Sequence, residues 1–119
     1  MSDLKELERQ KQECLEAIKT KEEVDILKAN PLFIKYIGEG YCYSECVRAT
    51  HLSVDLNMPK EVREDALRLA QATGYLELYF SRLDARGHSA AAKIPHIEQE
   101  IEAIRMEMAT DSNTVDMEY

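Results

Sequence analysis

At 119 residues the chain has room for one domain and one modest core. Its four glycines and three prolines are too few for a turn-rich all-β fold, and no run reaches the roughly 18 apolar residues of a membrane-crossing helix. The net charge of −8 opposes direct binding to nucleic-acid phosphates.

The first element is expected to start at Asp3, an acceptable N-cap with Glu6 three residues on. Leu4, Leu7, Lys11, Cys14 and Ile18 form a stripe at heptad spacing, with a lysine at one of its apolar positions. Thr20 with Glu23 offers a second capping box, and the stripe shifts there toward Val24 and Leu27. One long helix to about Ala29 with a discontinuity at Thr20 is the expected outcome; a restart at Thr20 is the alternative. Asn30-Pro31 then marks a boundary, with asparagine as cap and proline in the first turn.

A short helix through Leu32, Phe33, Tyr36 and Ile37 is expected to end at Gly38, the alternative being a hairpin of 33–37 against 41–43. Tyr43, Val47, Thr50 and Val54 fit a helical face from about Tyr41 to Leu56, and Pro59 opens the next helix. In that helix Val62, Ala66, Leu69, Thr73, Leu76, Phe80 and Leu83 form one stripe, which Leu67, Leu78 and Tyr79 widen. So broad a stripe predicts neighbours on more than one side. Gly74 within it costs about 1 kcal/mol relative to alanine, a cost that a close helix crossing would explain. Arg86-Gly87 reads as a C-terminal stop with a left-handed glycine. Pro95 either kinks a helix begun near Ser89 or starts a new one. The last helix carries Ile94, Ile97, Ile101, Ile104 and Met108 at 3-4-3-4 spacing, a two-heptad seam. It is expected to end near Ala109, leaving 110–119 as a flexible acidic tail in which Met117 and Tyr119 are available for docking.

No residue pattern signals catalysis. Gly-flanked nucleophile turns, HExxH, phosphate-cradling glycine loops and GxGxxG are all missing from the sequence. Cys42, Cys46 and His51 are the nearest approach to a ligand cluster, but zinc needs further convergent ligands and only the distant His88 or His96 remain. Two small residues at a packed interface is the expected role of the cysteine pair. The odd set Cys14, Cys42 and Cys46 gives no disulfide framework. Glu61, Glu64 and Asp65 suit the positive end of a helix without any acid–base role. No enzyme activity, cofactor or metal is therefore expected.

The charge is uneven. Seven acidic residues (Glu98, Glu100, Glu102, Glu107, Asp111, Asp116 and Glu118) stand against Arg105 alone from His96 onward. They form either a solvated helix face or an acidic surface for a basic partner. Arg82, Arg86, His88 and Lys93 make a small basic stretch, expected to pair with acidic helices. Tyr41 and Tyr43, two residues apart on a helix, cannot share one core, so one of them is a candidate contact residue.

The residues Asn30-Pro31-Leu32-Phe33, Gly40-Tyr41, Glu45-Cys46-Val47-Arg48, Leu52, Gly74, Leu76, Leu78-Tyr79-Phe80 and Arg86-Gly87-His88-Ser89-Ala90 resemble small, mostly unassigned helical proteins encoded in tailed-bacteriophage genomes. The resemblance covers about half the chain and includes no catalytic motif; Cys46 stands where that pattern has alanine. It implies a viral source, with virion assembly as the setting and the host cytoplasm or virion as the location.

The expected fold is all-α: a bundle of about five helices over residues 1–109, with long N- and C-terminal helices packed as an antiparallel coiled-coil-like pair. The expected function is non-enzymatic structural or assembly work through helix-mediated protein–protein contact, as a homo-oligomer or within a larger phage assembly, with no direct nucleic-acid or membrane binding. Leu4, Leu7, Ile97, Ile101, Ile104, Met108, Tyr41 and Tyr43 are the candidate partner-interface residues. The alternative is an inhibitor of a host nucleic-acid enzyme that mimics DNA charge through Glu98, Glu100, Glu102 and Glu107.

Overall fold

A computed structural model describes the backbone of residues 2–117 and the side chains of residues 3–111. The expected docking by Met117 and Tyr119 concerns side chains outside the described residues.

All regular structure in the described residues is helical: α1 (Ser2–Ala29), α2 (Pro31–Phe33), a π-helical segment (Ile34–Glu45), α3 (Cys46–Ser53) and α4 (Lys60–Met117). Because α2, the π-helical segment and α3 follow without a break, the chain makes three helical rods rather than the five helices expected. α1 starts one residue before the expected cap, and Glu6 is engaged by the side chains of Arg9 and Gln10. It passes through Thr20 intact; that hydroxyl donates to the Glu16 carbonyl at 3.0 Å, as threonine does inside a helix. Asn30 caps the second rod as expected, its Oδ1 accepting from the Leu32 N–H at 2.8 Å with Pro31 in the first turn.

Gly38 is not a stop. The rod runs on to Ser53, and no glycine has positive φ, so neither the helix end nor the hairpin alternative forms. Hydrogen bonds over the wider i→i+5 turn carry the chain through both glycines. The following loop turns on Asp55, whose Oδ1 accepts from the Asn57 N–H at 3.0 Å, and the Pro59 carbonyl accepts from Arg63 at 3.1 Å to open α4.

α4 is one helix of 58 residues, where two had been expected. Gly87 stays right-handed, and Pro95 lies inside the helix. Proline removes one N–H from the ladder; since Pro95 and Ala91 are both exposed, water can satisfy the carbonyl left over. The helix also runs past Ala109, its expected end, through Met117.

The chain divides into two compact units, one of residues 1–21 with 85–119 and one of residues 22–84. In the first, the two segments lie antiparallel: Lys11 Nζ is 3.6 Å from Glu98 Oε1, and Arg105 Nη2 is 3.7 Å from Glu8 Oε1. Leu4, Leu7, Lys11, Cys14, Ile18 and Lys21 face Gly87, Ala90, Ile94, Ile97, Ile101 and Ile104, all half-buried or buried. Ala90, Ile97 and Ile101 are its buried apolar side chains among the described residues. The helices approach closely at Gly87, where a Cβ would press on the Cβ of Lys21.

In the second unit, residues 31–53 run antiparallel to 60–84. Phe33 meets Phe80 edge to face at 5.7 Å, and the Cys46 thiol reaches the Ala70 carbonyl at 3.9 Å. Ala49, Ala66 and Thr73 are buried between them. The Thr73 hydroxyl donates to the Ala70 carbonyl at 2.7 Å, so its polar group is satisfied. Val24 is the buried apolar residue from 22–29.

Candidate functional site

Heptad spacing places Ile97 and Ile101 at the centre of the two-helix unit, 7% and 5% exposed. Leu4, Leu7 and Ile104 are half-buried in the same seam, while Met108 is exposed. The chain's own α1 therefore fills this seam, and Lys11 is accommodated by reaching Glu98. Tyr41 is half-buried and Tyr43 is 69% exposed. Glu98, Glu100, Glu102 and Glu107 are all exposed. Glu98 and Glu102 line an open groove of about 440 Å³ together with Lys11 and Arg105, so cations interleave with this part of the acidic surface.

Cys42 and Cys46 turn toward α4, whereas His51 is exposed on α3. Among the described residues no group of three or more His, Cys, Asp or Glu side chains is placed to hold a metal. Burial pushes the Cys42 thiol above its ordinary pKa, and the neighbouring Glu77 carboxylate adds to the effect. That is the reverse of what an activated cysteine nucleophile needs. Cys42 and Glu77 line a groove of about 300 Å³ with Lys28, Phe33, Gly38 and Phe80. Arg82, Arg86, His88 and Lys93 are exposed. On the surface, Arg9 holds the Glu6 carboxylate down to about 2, with help from Gln10, and Arg48 lowers Glu45. These are solvent-accessible pairs within one helix, of the kind that stabilises it weakly.

An exposed apolar face lies in the 22–84 unit. Each helical residue advances about 100°, which puts Leu67, Gly74, Tyr75 and Leu78 on one face of α4, roughly opposite the buried Thr73 and half-buried Phe80. Leu67 is 49%, Tyr75 71% and Leu78 43% exposed. Beyond its own stretch of helix, no atom of the described residues comes within 4 Å of a Cβ built on Gly74, so they make no close crossing there. Glu64 and Arg82, both exposed, flank the face. The breadth of the 62–83 stripe signalled this face, and within the 22–84 unit Leu67, Tyr75 and Leu78 stay exposed. Val54, Leu56 and Met58 add exposed apolar area in the loop before α4.

No protein-family model matches the chain, and no curated protein or solved structure shows significant similarity to it. Among the described residues no helix is long and apolar enough to cross a membrane.

Proposed function

We propose that this chain is a non-enzymatic assembly protein that works by helix-to-helix contact and is itself a homo-oligomer. The observation that carries this reading is the imbalance between core and surface. Six apolar side chains are buried among the described residues, while many large ones, from Ile26 and Leu32 to Tyr75 and Met106, stay exposed. The likeness of residues 30–92 to small phage-encoded helical proteins supports virion assembly as the setting.

Thermal unfolding followed by circular dichroism over a hundredfold range of protein concentration tests the reading. Folding coupled to association raises Tm with concentration by mass action. A Tm that stays constant across the range contradicts it.

A further inference from the structure

We propose that a second copy of this chain docks on the exposed face of α4 made by Leu67, Gly74, Tyr75 and Leu78, in an antiparallel two-fold crossing centred near Gly74. The proposal rests on the assembly reading and names its surface. Three observations select a second copy as the occupant.

The first is area. At 71% exposure, Tyr75 alone presents roughly 150 Å² of amphipathic ring surface, and the half-exposed Leu67 and Leu78 extend it into a patch of the size that marks interaction sites.

The second is Gly74. Within one chain the residue is a cost without a return, since nothing of the protein occupies the space beside it. A second helix crossing there can approach closely because no Cβ intervenes.

The third is register. In an antiparallel pair centred between residues 72 and 74, Leu67 meets the partner's Leu78, and Gln71 meets the partner's Gly74. Glu64 and Arg82 fall on the same side of the face, so each meets its opposite charge on the other copy. The two-fold axis makes every one of these contacts twice and closes the assembly as a dimer. A parallel crossing sets Glu64 against Glu64 and Arg82 against Arg82, which is repulsive. Lys60, 3.7 Å from Glu64, is an exposed alternative partner that Arg82 displaces or joins.

Sedimentation velocity on the full chain and four variants tests the proposal. Leu67→Glu with Leu78→Glu changes exposed positions, so helical content by circular dichroism is expected to hold while the mass drops from about twice 13.7 kDa to 13.7 kDa. Glu64→Arg and Arg82→Glu each shift the equilibrium toward monomer, and combining them restores the dimer. A wild-type dimer that the leucine variants leave intact overturns this face but leaves the assembly reading standing. Failure of the combined charge variant to restore association overturns the antiparallel register. A wild-type chain that is monomeric at every concentration overturns both the face and the reading beneath it.

Discussion

A methyl group added at Gly87 would press on Lys21 Cβ and meet its Cγ at 3.0 Å, atoms too near the backbone to swing away. Gly87→Ala gains about 1 kcal/mol of helix propensity but forces apart two packed helices, at about 1–3 kcal/mol. Net destabilisation is expected in urea unfolding. Gly74→Ala is the control: the same propensity gain meets open space, so the monomer measured in dilute solution should become more stable by about 1 kcal/mol. Cys42 supplies a pH test. Its folded pKa lies above the ordinary 9.0, first through burial and then through Glu77. The neutral thiol therefore favours the fold: its contribution is complete below 9.0 and is lost as pH rises from there through the folded value. Labelling of Cys42 by a thiol reagent should show a pH midpoint above 9.0, and Glu77→Gln should lower that midpoint. A midpoint at or below 9.0 contradicts the burial seen here.

Among the elements, α4 depends on a heptad pattern that survives two breakers. Leu83, Gly87, Ala90 and Ile94 continue the spacing of Thr73, Leu76 and Phe80 into Ile97, Ile101 and Ile104, so the spacing along the sequence is unbroken from Ala66 onward. That continuity was legible in the sequence. It was obscured because Arg-Gly reads as a stop when glycine's left-handed freedom is weighed above its small size. The long terminal helices, their antiparallel packing and the Asn30-Pro31 cap were also legible, since each follows from local spacing or capping chemistry. The π-helical turns of 34–45 were not, because nothing in the sequence separates i→i+5 from i→i+4 bonding around Gly38 and Gly40. Pro95 offers a test at this scale. A helix-interior proline costs about 3 kcal/mol relative to alanine, so Pro95→Ala should raise the denaturant midpoint and keep the helical content. A loss of helical content instead would show that the proline sets a bend the packing needs.

For the whole molecule, the decisive quantity is how much apolar surface the chain leaves in water. The terminal helices pack on each other within the chain, and the contact proposed with a second copy lies on the exposed 67–78 face of α4. The exposed leucines and tyrosines were present in the sequence, but their lack of an intrachain neighbour depends on tertiary packing, which periodicity alone does not give. Apolar association is weakly sensitive to salt, whereas contacts between exposed charges are screened within about 10 Å at 0.1 M. Light scattering across a concentration series, at low and at high salt, is thus the most direct test of the account. It predicts a mass of about twice 13.7 kDa that persists at high salt and falls only on dilution. A mass of 13.7 kDa at every concentration would contradict it.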